Sequence, residues 1–185
     1  MAKASKSTPR AAAVRTRRAY FDCRFGQLHV RTAFPTTGGF DEQVTLFCLH
    51  ANGASSRTFG KIMPELADVR SVYAPDLPGC GESDPSPTGG STEAAAAVSD
   101  LASDLRLRQI DVFGVQFGAS VAMELAVARP ELVRRLALAG IAADERWPAV
   151  KHKRWAFDLA GFGADALDVA DPALASQLAA FLKAG

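Results

Sequence analysis

The 185-residue chain has no run of 18 apolar residues, which argues against a membrane-spanning helix. It has only three cysteines, Cys23, Cys48 and Cys80. Their number is odd and their spacing fits neither a zinc site nor a disulfide framework. No metal centre is therefore expected, and a reducing, cytoplasmic setting is. An excess of one charge is also missing, since 21 basic and 20 acidic residues leave a net +1. That balance gives no support to nucleic-acid binding by the whole chain. At 48% hydrophobic and 22% charged residues, disorder is excluded as the main state. The length has room for one domain and not comfortably two.

Acids are absent from one stretch. Residues 1–18 hold Lys3, Lys6, Arg10, Arg15, Arg17 and Arg18 and no Asp or Glu, so the remainder carries 15 cations against 20 anions. The stretch has no apolar segment and is not a secretory signal. Residues 1–19 read as a disordered basic leader, with organellar targeting as the alternative.

Regular patterns follow. Residues 20–25 and 27–32, split by Gly26, read as a hairpin. Residues 44–49 form an almost unbroken apolar run, suited to a parallel strand buried on both faces. A helix is expected near 57–68 and a strand at 71–74. A long Pro-, Gly- and Asp-rich loop should cover 75–90. Ser91 or Thr92 can cap a helix carrying Ala94, Val98, Leu101 and Leu105 on one face. A strand at 109–113, a sharp turn at 114–118, a helix ended by Arg129-Pro130 and a strand at 133–139 complete the alternation. The class is α/β, with a mostly parallel sheet of about six strands and flanking helices. Residues 20–143 read as its core. Residues 144–185 read as a helical, cap-like segment with Trp147, Trp155, Phe157 and Phe162, an amphipathic helix at 172–182 and no further strand.

Three motifs fall in order on this framework: Leu49-His50-Ala51-Asn52-Gly53 after the third strand, Asp76-Leu77-Pro78-Gly79-Cys80-Gly81-Glu82-Ser83 after the fourth, and Gly114-Val115-Gln116-Phe117-Gly118-Ala119 between the fifth strand and its helix. Together they resemble the α/β-hydrolase superfamily, its esterase-, dehalogenase- and epoxide-hydrolase-like members in particular, from about Tyr20 to Ile141. The resemblance implies a partial α/β-hydrolase fold and hydrolysis of an ester or related bond without a cofactor. It implies a nucleophile elbow at residue 116, with Gly114 and Gly118 small so that the chains approach closely. It also implies oxyanion donors at the Phe117 N–H and at Asn52, with His50 beside them in the same loop. In dehalogenase-like members an Asn at this place helps hold the leaving halide.

The attacking position, however, is Gln116. Members of the family carry Ser, Asp or Cys there, and a carboxamide is not activated by a neighbouring base. It can donate and accept hydrogen bonds, so it can hold a ligand without bonding to it covalently. The resemblance places the acid after a later strand and the catalytic His after the last, and the 185 residues stop before either. His29 lies in the hairpin, His50 in the oxyanion loop and His152 in the cap-like segment; none is placed to act as base. Hydrolysis is therefore expected to be lost or severely impaired. The alternative function is a pseudoenzyme that binds a small molecule or a protein in the old pocket.

Other residues have plainer expected roles. Ser55 or Ser56 caps the next helix, Ser83 and Asp84 serve as turn residues, and Cys80 is an unactivated thiol. Asp76 holds the loop that follows it by hydrogen bonds. The sixth strand is expected to leave an open edge, inviting self-association, a partner or the folded-back tail.

Overall fold

The computed structural model describes residue 14 and residues 16–36, 43–140, 156–158 and 172–183. Strands β1 (Thr16–Cys23) and β2 (Gly26–Ala33) form the hairpin. β3 (Leu46–Leu49) follows, then a 3-10 turn at Ser56–Phe59, the short helix α1 (Met63–Leu66) and β4 (Val72–Pro75). Helix α2 (Ser91–Asp104), β5 (Ile110–Val115), helix α3 (Phe117–Ala128) and β6 (Val133–Ala139) continue the alternation. β7 (Ala156–Asp158) and helix α4 (Pro172–Lys183) complete the described elements.

The sheet order is β1-β2-β4-β3-β5-β6-β7. β1, β2 and β4 pair antiparallel, and the strands from β4 to β7 run parallel. Burial on both faces explains the apolar runs of β3 and β5, every residue of which is buried. Alternate side chains feed two cores. Phe47, Leu49 and Val112 face α2 and α3, whereas Leu46, Cys48 and Phe113 face Phe59, Met63 and, from α4, Leu174, Leu178 and Leu182. The four-residue spacing of those three leucines places them on one stripe of α4. Burial pushes the Cys48 thiol far up, which leaves it inert.

The structure differs from the sequence reading at four places. β1 begins at Thr16, inside the stretch read as leader, because Thr16, Arg17 and Arg18 continue the ladder opposite Ala33, Thr32 and Arg31. The helix expected over 57–68 is split into the 3-10 turn and α1. The N-cap of α2 is Gly90, so Ser91 and Thr92 lie inside the helix. The six expected strands are joined by a seventh in the segment read as helical. β7 pairs parallel with β6 through Leu136↔Ala156, Ala137↔Phe157 and Leu138↔Asp158. The edge expected to be open is thus covered along those three residues. Trp147, His152, Trp155 and Phe162 lie outside the described residues. Among the described residues no helix is long and apolar enough to cross a membrane, and no His/Cys/Asp/Glu group could hold a metal ion.

Candidate active site

β5 runs straight into α3, and the bend between them is Gln116. Its backbone lies at φ 50°, ψ −111°, a region non-glycine residues rarely occupy and one that costs on the order of 1–3 kcal/mol. Three main-chain hydrogen bonds hold it there. The Gln116 N–H donates to the Ala139 carbonyl at 2.8 Å, and the Ala119 and Ser120 N–H groups donate to the Gln116 carbonyl at 2.9 and 3.2 Å. Gln116 is exposed at the carboxyl end of the parallel strands, where ligands of such sheets bind.

The flanking glycines make the bend possible. A Cβ on Gly114 would lie 2.5 Å from the Gly118 carbonyl oxygen and 2.7 Å from the Ala119 Cα. A Cβ on Gly118 would lie 2.1 Å from the Leu49 carbonyl oxygen and 2.7 Å from that of His50. This second contact seats the start of α3 on the end of β3 and brings the elbow against the loop that carries Asn52. Asn52 is exposed and Phe117 half-buried. The Phe117 N–H belongs to the first turn of α3, where a helix offers no internal acceptor. The elbow thus offers a carboxamide and a helix N-terminus, and the adjoining loop after β3 carries the exposed carboxamide of Asn52.

His50 is buried, and both its ring nitrogens are bonded to main chain. The Leu77 N–H donates to Nε2 at 2.9 Å, so the proton sits on Nδ1, which donates to the Ala51 carbonyl at 2.8 Å. Its ring fastens the loop after β3 to the loop after β4. Burial lowers its proton affinity, and the bonds require the neutral form. Below the ordinary imidazole pKa of about 6.5 the unfolded chain takes up a proton that the folded chain refuses. This contribution to stability is therefore complete above that value and declines as pH falls. Melting temperature is expected to drop between about pH 7.5 and 5.5. His50→Gln should lower it at the upper pH and flatten that slope; a slope unchanged in the variant would contradict the assignment.

Asp76 binds its loop as expected. Oδ1 accepts from the Ser56 N–H at 2.6 Å, and Oδ2 accepts from the Glu82 N–H at 3.0 Å and pairs with His29 Nδ1 at 2.9 Å. The Ser83 hydroxyl donates to the Asp76 carbonyl at 2.7 Å. Burial alone would raise the carboxyl, but hydrogen bonds from Ser56, Glu82 and His29 outweigh it and hold the group below the usual carboxylate range. The His29–Asp76 pair was not legible in the sequence, because it depends on the β2–β4 pairing. His29 sits three strands from β5, roughly 14 Å at ordinary strand spacing, and does not serve the elbow. Ser55 caps the 3-10 turn through the Arg57 N–H at 3.4 Å. A cleft of about 290 Å³ between α2 and α3 contains no elbow residue. Its arginines are already engaged, Arg24 with Asp100 and Arg129 with Ser99 and Glu131.

Known proteins share this fold. A family model described as the alpha/beta hydrolase fold matches residues 44–184. The chain is 36% identical over 105 residues to 2-hydroxymuconate semialdehyde hydrolase of Pseudomonas sp. (strain CF600), covering 52% of this chain and 36% of that protein. It is 34% identical over 107 residues to a pimeloyl-[acyl-carrier protein] methyl ester esterase of Neisseria meningitidis, covering 56% of this chain and 40% of the relative. Among solved structures, haloalkane dehalogenase DbeA from Bradyrhizobium elkani superposes with a TM-score of 0.60 at 26% identity, over 68% of this chain and 42% of that one. The matched region thus spans about two fifths or less of the curated relatives' length. The family match, the parallel sheet and the strand-to-helix bend at residue 116 agree: this chain belongs to the α/β-hydrolase fold family.

Proposed function

We propose that this chain uses the hydrolase cleft to bind a small carbonyl-bearing molecule, an ester or a related compound, and that it does not turn that molecule over through a covalent intermediate. The observation that carries the reading is the carboxamide of Gln116 at the tip of the bend. A serine there attacks through an oxygen whose proton a histidine removes, and an aspartate attacks through a carboxylate oxygen. The amide nitrogen has its lone pair delocalised into the carbonyl, and the amide oxygen is a weak nucleophile. Gln116 can instead donate a hydrogen bond to a ligand oxygen and accept one from a ligand hydroxyl. The Phe117 N–H and Asn52 add donors beside it. His29 and His50 are occupied in holding loops. The relatives' names describe action on a semialdehyde and a methyl ester, so the ligand class suggested is a small molecule with such a carbonyl. The three free thiols suit a reducing, cytoplasmic setting.

The 185-residue chain should give no covalent adduct with a fluorophosphonate probe and should hydrolyse p-nitrophenyl esters at the buffer rate. Gln116→Ser should stay far below the roughly 10⁶-fold contribution of a complete triad. Carbonyl compounds that bind should raise the melting temperature; at about a hundredfold excess over Kd the gain is about 2.7 kcal/mol. A stoichiometric adduct, or ester turnover that Gln116→Ala abolishes, would overturn the reading.

A further inference from the structure

The geometry points to a second docking surface: the outer edge of β1, which we infer receives the same strand of a second copy of this chain in antiparallel register, Tyr20 facing Tyr20. Among the described residues β1 is the last strand on its side of the sheet. Its outward-facing backbone groups can be identified. On β2, Gln27 and His29 turn their main-chain groups away from β1: the Gln27 and His29 carbonyls accept from Asp84 and Asp76, and their N–H groups donate to Asp84 and Ser83. The antiparallel ladder alternates, so Leu28 and Val30 bond inward, with Phe21 and Ala19 opposite them. The N–H and C=O groups of Arg18, Tyr20 and Asp22 therefore point outward. The side chains of these three residues share one exposed face, and Tyr20 is 52% exposed.

A dyad perpendicular to the sheet keeps each face on its own side, so only residues of equal parity can stand opposite one another. Placing the dyad at Tyr20 sets Arg18 of each copy against Asp22 of the other, twice over. Shifting it by one residue sets Arg18 against Tyr20, and shifting it by two sets Arg18 against Arg18. The charge pattern thus selects one register. Among the described residues of its own chain Arg18 has only a longer-range attraction to Glu82. It faces Arg31 across the hairpin and makes no salt bridge among the described residues. Nearby Glu82 is engaged by the Tyr20 hydroxyl at 2.8 Å and by Arg57 at 3.6 Å. Charged residues on an edge usually discourage pairing; in this register they attract. The elbow lies four strands away, clear of this edge.

Sedimentation of the 185-residue chain over a concentration series should show a monomer–dimer equilibrium. Arg18→Asp and Asp22→Arg each replace two attractions by two repulsions, and each alone should weaken self-association by about tenfold or more. Mixed in equal amounts, the two variants should form a heterodimer, because every Asp then meets an Arg. Circular dichroism of each variant verifies its fold, and the mixture supplies a gain that a folding defect cannot mimic. A wild-type chain that stays monomeric throughout, or variants that dimerise as the wild type does, would overturn the proposal. So would a mixture no more dimeric than its components.

Discussion

Gly118→Ala is expected to unfold the protein or leave it barely stable. The added Cβ would lie 2.1 Å from the Leu49 carbonyl oxygen and 2.4 Å from its carbon. Both are main-chain atoms of the central strand β3, paired on one side with β4 and on the other with β5. No rotamer change relieves the contact, so α3 must retreat from the sheet. That retreat opens the apolar layer that Val121, Ala122 and Leu125 make with Phe47 and Leu49. Overpacking of ordinary kind costs about 1–3 kcal/mol, and a clash with fixed backbone belongs in the tail beyond about 4 kcal/mol. At this chain length that is a fall in Tm of roughly 10 °C or more. Gly53→Ala is the control. Unlike Gly118 it has a positive φ, at +70°, and nothing lies within 4 Å, so only the left-handed backbone cost of about 1–2 kcal/mol applies. Equal losses in the two variants by thermal or urea melting would mean that the close approach of α3 to β3 is not what Gly118 serves.

Asp111→Ala should be the most damaging substitution away from the elbow. The carboxylate is fully buried. It accepts from Arg70 Nη1 at 3.0 Å and from Arg134 Nε and Nη2 at 2.9 and 2.6 Å. Burial pulls the proton affinity of the Arg70 guanidinium down, and Asp111 opposes that pull. Removing the carboxylate leaves Arg70, whose side chain is 3% exposed, as a buried cation without its counter-ion. Such a loss costs about 3–5 kcal/mol. The effect should spread to α4, because Arg70 and Arg134 also reach the Leu182 carbonyl and Arg135 donates to that of Phe181. Hydrogen exchange in α4 should therefore quicken more than in α2. Asp111→Leu combined with Arg70→Met should recover much of the loss, since a buried pair exchanged for apolar groups is often neutral. If Asp111→Ala costs no more than a surface change of about 0.5 kcal/mol, the cluster is not what anchors α4.

Periodicity and turn chemistry carried much of the fold. The strand over Val133–Ala139 was legible to the residue, because Val133 and the apolar stretch Leu136 to Ala139 are bounded by Arg129-Pro130 and Gly140. β3, β4 and β5 were legible to within about two residues. β7 was not: three residues are too few for a period-two signal, and only pairing with Leu136–Leu138 makes them a strand. The split between the 3-10 turn and α1 escaped notice for a similar reason. The apolar spacing of Phe59, Ile62, Met63 and Leu66 suits one helix, whereas the Gly60 N–H closes a shorter turn on the Arg57 carbonyl at 3.0 Å.

At the site, three motifs in order and their resemblance to the α/β-hydrolase family placed the elbow at Gln116, between the small residues Gly114 and Gly118 that a strand-to-helix bend needs. The amino-acid sequence alone therefore determined the α/β class, the position of the elbow and the amide that stands in it. Only the tertiary structure decided which distant groups meet: His29 with Asp76, His50 with Leu77, Arg70 and Arg134 with Asp111. Those meetings depend on strand order and on β2 and β4 running antiparallel, and no periodicity within a single segment encodes which strand lies beside which.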